Sequence, residues 1–277
     1  MKTKLIDYVD NGPIFITGHV NPDGDALGSA FALKLFLDSQ NIISDVDFDI
    51  TTKLPSNLNH LPYHLISDDL KEKYNTVFVF DCGNSSRLGK YEEVVLAAEN
   101  VVVIDHHVDP SFGDVQIIDP HAASTTQVLF RQFKDENIEI NEEMANCLLT
   151  GLITDTGRFQ YSNTTSEVFS IAAELLGNGA NLSKISENIY GSIEFNALTL
   201  QSKIIERIVL NEDLQFAHSI VFQNDYKDYQ VEPEETDFLI DVVRLVKEST
   251  VALLIKEQED GSFKGSLRSR SDIDVQK

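Results

Sequence analysis

The first two-thirds of this 277-residue chain alternates short, continuously apolar runs with stretches of helical periodicity. That alternation limits its fold more than any other feature. IFIT (14–17), TVFVF (76–80) and VVVI (101–104) are too short for helices and have no polar face, as expected of strands buried on both sides. Between and after them, DALGSAFALKLFLDS (25–39), YEEVVLAAEN (91–100), TTQVLFRQFKDEN (125–137), EEMANCLLTGLIT (142–154) and SEVFSIAAELLGNG (166–179) read as helices. The order predicts an α/β fold with a doubly wound, mainly parallel sheet.

From about residue 195 the pattern changes. FNALTLQSKIIERIVL (195–210) reads as a helical connector. LQFAHSIVF (214–222) and VALLIKEQ (251–258) read as strands around a helical EETDFLIDVVRLVKES (234–249). EDGS (259–262) is a hairpin signal leading into FKGSLRSR (263–270). The expected division is a catalytic domain over 1–190, a helical linker over 191–208 and a smaller α/β domain over 209–277, about two domains as the length allows.

In open parallel sheets ligands bind beyond the carboxyl ends of the strands, so the residues just past each run are a direct test. After IFIT come His19, Asp23 and Asp25; after TVFVF, Asp81; after VVVI, Asp105, His106 and His107. Asp155 ends an apolar helical run in GLITDTGRF. This collection of carboxylates and imidazoles, with no thiolate required, favours Mn²⁺ or Mg²⁺, with Co²⁺ as a further option, over a structural zinc site. There are more donors than one ion needs, which suits a two-metal site with a bridging carboxylate. Calcium fails as an alternative. Asn21, Asp23 and Asp25 mimic the start of an EF-hand loop, but Ala26 and Ala32 stand where its glycine and bidentate glutamate belong.

HVNPDGDALGS (19–29), VFDCG (79–83), VIDHH (103–107) and GLITDTGRF (151–159), in that order, resemble the four motifs of the DHH phosphoesterase family. With the terminal SLRSR the chain is similar to the nanoRNase/pAp phosphatase (NrnA-like) branch. The resemblance implies that His19, Asp23 and Asp81 ligate one Mn²⁺ and that Asp25, Asp81, His106 and Asp155 ligate a second. It implies that His107 contacts the scissile phosphate and protonates the leaving group. Asp105 either orients an imidazole or caps the strand end. The implied substrates are RNA oligomers of a few nucleotides and the 3′-phosphate of pAp, with pApA and cyclic di-AMP as alternatives. The implied second domain is DHH-associated and substrate-binding. Its family counterpart continues into a glycine-rich stretch ending in histidine; this chain has no Gly-Gly pair and stops at DIDVQK, so that domain is expected to be incomplete. A non-catalytic nucleotide-binding regulator on the same fold is the rival reading. It expects a lost ligand, and none is lost.

Arg87 in NSSRLG is a candidate phosphate contact or a surface ion pair. Arg268 and Arg270, two apart on an expected strand, project from one face and with Ser269 form a candidate phosphate clamp. Elsewhere basic groups are scarce: 22 Lys+Arg face 45 Asp+Glu, a net charge of -23. A grip on long duplex nucleic acid is therefore not expected, whereas short RNA oligonucleotides or small nucleotides remain open. No apolar run is long enough to span a membrane, MKTKLIDYVDNG has too short an apolar stretch to be expected to act as a secretory leader, and a cytoplasmic location is expected. Cys82 and Cys147 give no disulfide framework. A homodimer is the candidate assembly.

Overall fold

The computed structural model describes residues 4–9, 12–51, 53–108, 110–191, 193–236 and 238–270. The chain divides into two compact units, Met1–Gly191 and Ser192–Lys277. In the first, β1 (Ile14–Gly18), β2 (Ser44–Val46), β3 (Thr76–Phe80), β4 (Asn100–Asp105) and β5 (Val115–Ile118) form a parallel sheet of order β2-β1-β3-β4-β5. The order reverses between β1 and β3, so the crevice at their carboxyl ends is the topological switch point.

Alternate residues of the central strands enter two cores. Ile14, Ile16, Phe78, Phe80, Val102 and Ile104 pack on one face. Phe15, Val77, Val79, Val101 and Val103 pack on the other, against Leu88, Tyr91 and Val95. Burial on both faces explains why these runs carry no polar alternation. The edge strands differ: β2 is SDV and β5 is VQII, too short and polar to stand out in the sequence.

The helices of the first core include α1 (Gly24–Ser39), which is buried over most of its circumference. Following β3 and a 3₁₀ turn at Ser85–Tyr91 is α2 (Glu92–Leu96), only half of the helix expected over 91–100. The chain continues through α3 (Thr125–Asp135), α4 (Glu142–Asp155), α5 (Ser166–Gly177) and α6 (Leu182–Ser186). Two glycines let α1, α3 and α4 approach closely. A Cβ at Gly28 would stand 2.4 Å from the Cys147 carbonyl oxygen, and one at Gly151 would stand 2.6 Å from Asp25 Oδ1. Without those glycines the helix ends carrying Asp25 and Asp155 could not meet.

The second unit contains a sheet of order β6-β7-β8-β9, with β6 (Val209–Asn211), β7 (Phe216–Val221), β8 (Val251–Glu257) and β9 (Phe263–Ser269). β7 and β8 are parallel; the two outer pairings are antiparallel, the last through the expected hairpin. The stretch expected as a linker supplies α7 (Phe195–Glu206), whose Ala197, Leu200 and Ile204 are buried in this unit's core. Its apolar stripe at three- and four-residue spacing needs a surface, so it packs rather than spans. α8 (Gln223–Tyr229) follows β7, and the helix expected over 234–249 is confined to α9 (Leu239–Arg244) after a 3₁₀ turn. No helix among the described residues is long and apolar enough to cross a membrane.

Candidate metal centre

The loop leaving β1 turns the chain sharply into α1. Asn21 adopts φ +52°, a left-handed conformation that asparagine tolerates better than most residues. Its N–H donates to the Asp49 carbonyl (2.9 Å), and the Val20 N–H donates to the Arg87 carbonyl (2.7 Å), fixing the loop against its neighbours. Asp23 caps α1, accepting from the N–H groups of Asp25 (2.9 Å) and Ala26 (3.1 Å) through Oδ1. Asp25, one helical residue on, is fully buried, and its carboxylate is docked on the start of α3. There Oδ2 accepts from Thr125 N–H (2.6 Å) and Oδ1 from Thr126 N–H (2.9 Å).

Asp81 follows β3 with φ +54° and lies at the centre of the cluster. Its Oδ2 is 3.5 Å from His19 Nε2; its Oδ1 is 3.7 Å from His106 Nε2 and 3.3 Å from His107 Nδ1. His106 Nε2 also faces Asp155 Oδ2 (3.3 Å) and Asp25 Oδ2 (4.0 Å), while His19 Nε2 faces Asp23 Oδ1 (3.9 Å). The other ring nitrogens are committed. His19 Nδ1 pairs with the Val20 carbonyl (2.9 Å) and His106 Nδ1 with that of Ala122 (3.3 Å), which leaves each Nε2 lone pair aimed inward.

Asp105 both caps and orients. Its Oδ1 accepts from the N–H groups of His106 (2.7 Å) and His107 (3.0 Å) and lies 2.8 Å from His107 Nδ1. His107, at the rim with a side chain 40% exposed, has its ring held by that carboxylate.

Among the described residues, three groupings bring one donor atom per residue within 4.8 Å of one another: His19, Asp23, Asp81; Asp25, His106, Asp155; and Asp81, Asp105, His106, His107, which overlaps both. The imidazole-to-carboxylate separations within the first two run from 3.3 to 4.0 Å. Donors about 2.1 Å from one ion at tetrahedral or octahedral angles stand roughly 3–3.5 Å apart, so the spacing suits shared cations.

The electrostatics agree. Burial, then the charge of Asp81, pushes Asp25 up to about 7. Burial and the charges of Asp25, Asp23 and Asp81 hold Asp155 well above the usual carboxylate range. Burial would raise Asp81 too, but hydrogen bonds from His107 and His19 outweigh it and keep Asp81 ionised. Hydrogen bonds to Asp105 and Asp81 raise His107 to about 10. Burial and the charge of Asp81 raise Asp23 as well, so without cations three of the carboxylates are shifted toward taking up protons. Divalent ions would remove that repulsion, and the residues fit them.

The structure thus brings together His19, Asp23, Asp25, Asp81, Asp105, His106, His107 and Asp155. Arg87 is exposed on the turn after β3, where its carbonyl braces Val20. Arg268 and Arg270 are exposed and Ser269 is half-buried at the end of β9, in the second unit. Two residues escaped the sequence reading: Thr125 and Thr126, whose backbone N–H groups hold Asp25. The available signal was Ser124 followed three residues later by Gln127, a helix-start pattern; Ser124 caps α3 by accepting from Gln127 N–H (3.1 Å).

Residues 13–152 match the DHH family, N-terminal domain. The chain is 31% identical over 274 residues to the bifunctional oligoribonuclease and PAP phosphatase NrnA of Thermus thermophilus, spanning 96% of this chain and 78% of that protein. It is 28% identical to a probable bifunctional oligoribonuclease and PAP phosphatase NrnA of Streptococcus mutans, spanning 98% and 86%. Among solved structures it is similar to an exopolyphosphatase-related protein from Bacteroides fragilis, with TM-score 0.88 and 25% identity over 98% of this chain and 85% of that one.

Proposed function

The chain belongs to the DHH family of metal-dependent phosphoesterases, and we propose that it hydrolyses short oligoribonucleotides to mononucleotides and dephosphorylates pAp to AMP. The observation that carries this reading is the juxtaposition of two three-donor groupings, His19–Asp23–Asp81 and Asp25–His106–Asp155, at the β1/β3 switch point, with Asp81 Oδ1 3.7 Å from His106 Nε2 between them. His19, Asp23 and Asp81 would hold one cation and Asp25, Asp81, His106 and Asp155 a second, with Mn²⁺ the ion best suited to these oxygen and imidazole donors. When bound, such a pair supplies charge neutralisation and Lewis-acid polarisation of a phosphoryl group.

The chain's own residues do the rest. Asp23, Asp25 and Asp105 each accept from backbone N–H groups, which orients their carboxylates before any substrate arrives. Asp105 holds His107 at Nδ1, so Nε2 is the atom that can face a substrate. Held by Asp105 at Nδ1 and placed at the rim, His107 is positioned to deliver a proton to the departing oxygen; in the cation-free protein its hydrogen bonds to Asp105 and Asp81 raise it to about 10. Arg87, Arg268, Ser269 and Arg270 are assigned to substrate phosphates, the few cationic groups a short, highly charged ligand needs on so acidic a protein.

The test is a side-by-side incubation of the full chain and Mn²⁺ with pAp, short RNA, pApA and cyclic di-AMP, with Asp81→Asn as control. Release of AMP from pAp and of mononucleotides from short RNA is expected, both lost in the control. Turnover confined to pApA or cyclic di-AMP would replace the substrate assignment. No turnover of any of them by metal-loaded protein would favour a binding protein.

A further inference from the structure

Thr125 is fully buried, and it touches two of the proposed ligands at once. Its N–H donates to Asp25 Oδ2 (2.6 Å), and its hydroxyl donates to Asp81 Oδ1 (3.3 Å). It is the first residue of α3, so its backbone is set by the helix, which Ser124 caps. A β-branched side chain there has few rotamers, and its hydroxyl is held in place.

This matters because Asp81 must divide its oxygens. Oδ2 faces His19 and Oδ1 faces His106, one toward each proposed cation. A rotation about the carboxylate axis would exchange them, and Asp81 has no following helix to hold it. Its other neighbour on Oδ1, His107 Nδ1, lies 3.3 Å away and shares its proton with the nearer Asp105 Oδ1 (2.8 Å), so it does not hold Asp81 by itself. The Thr125 hydroxyl donates to one lone pair of Oδ1 and leaves the other for a cation.

Building on the two-cation reading above, we propose that Thr125 is a positioning residue that locks Asp81 as a bridging carboxylate and thereby sets affinity at the Asp25–His106–Asp155 position. The hydroxyl acts on the ligand oxygens of that position alone; His19, Asp23 and Asp81 Oδ2 have no contact with it in the described hydrogen bonds.

The informative variant is Thr125→Val, which keeps the shape and removes the donor; Thr125→Ser keeps the donor. Stepwise Mn²⁺ binding to the full chain is followed by the electron paramagnetic resonance of free Mn²⁺ and by the exchange-coupled signal of the Mn²⁺ pair. Removing a group that orients a metal ligand typically costs 10–100-fold in affinity. Thr125→Val is expected to weaken the second binding step by about that factor and lose the coupled signal, with the first step little changed. Thr125→Ser is expected to behave as the parent. If Thr125→Val does not fold, as judged by thermal unfolding in EDTA, Thr125→Ala is measured instead, with the same expectation. Unchanged stepwise affinities and coupled signal in the donor-free variant would overturn the inference, as would a serine variant as impaired as valine. A parent protein binding one equivalent would remove the two-cation reading itself, a result distinct from either.

Discussion

Asp81 carries the heaviest demands of any residue in the site. It adopts a left-handed backbone, stays ionised although buried, and faces three imidazoles. Asp81→Asn keeps the shape but halves the carboxylate, so it is expected to lose at least one Mn²⁺ and with it turnover; metal analysis of the folded variant checks this. The two adjacent histidines are proposed to separate by role. His106→Ala is expected to weaken metal binding, whereas His107→Ala retains both ions and lowers kcat by about 10²–10⁴-fold, the usual worth of a general acid. Metal content and kcat measured on both variants decide it, and reversed behaviour would exchange the assignments. Protonation gives a third expectation. Asp25 is raised to about 7, first by burial and then by Asp81, and Asp155 shifts the same way. A carboxyl raised on folding contributes stability that is complete below about pH 4 and is lost as pH rises through its folded value. Metal-free protein is therefore expected to weaken between pH 4 and 7, and Mn²⁺ to reverse the trend. Urea midpoints across that range, in EDTA and with Mn²⁺, read it out; a flat metal-free profile would contradict it.

The helices meet at the site because glycine permits it. In Gly151→Ala the new methyl would lie 2.5 Å from Thr126 Cγ2 and 2.6 Å from Asp25 Oδ1, both anchored at the start of α3. Overpacking of this kind costs about 1–3 kcal/mol, and here it also displaces a ligand. Reduced melting temperature and loss of the second Mn²⁺ are expected, while Gly177→Ala, with nothing within 4 Å, should be neutral or mildly stabilising. The sequence exposed those elements whose burial leaves a pattern. β1, β3 and β4 could be read as apolar runs, and the aspartates and histidines beyond them could be collected because strand ends share an edge. β2 and β5 could not, since SDV and VQII have neither length nor a continuous apolar face. Thr125 and Thr126 hold Asp25 through backbone N–H groups, which every residue has, so the sequence marked only the helix start at Ser124–Gln127 and the fold singled out the two threonines. α9 fell short of its periodic pattern, which a 3₁₀ turn at Pro233–Thr236 precedes.

At the scale of the whole chain, charge decides what kind of substrate can be held. With a net charge of -23, the chain is proposed to lack an extended basic track for long RNA. The proposed phosphate contacts are few (Arg87, Arg268, Ser269, Arg270 and the cations), so phosphates beyond the first few are expected to add little binding. Replacing Arg268 and Arg270 by Ala is expected to raise KM for short substrates and leave Mn²⁺ binding intact, as paired kinetic and metal titrations would reveal. Few counterions are released when few phosphates are gripped, so salt should weaken binding only shallowly. The central claim, a cation-dependent phosphoesterase built for short substrates, is tested most directly by turnover per RNA end. The series runs from two to about thirty nucleotides, with Mn²⁺ or EDTA, at several salt concentrations. The account predicts Mn²⁺-dependent release of mononucleotides that is greatest for oligomers of a few nucleotides, falls with length and varies little with salt. Processive digestion of the longest RNA with a steep salt dependence, or equal turnover in EDTA, would contradict it.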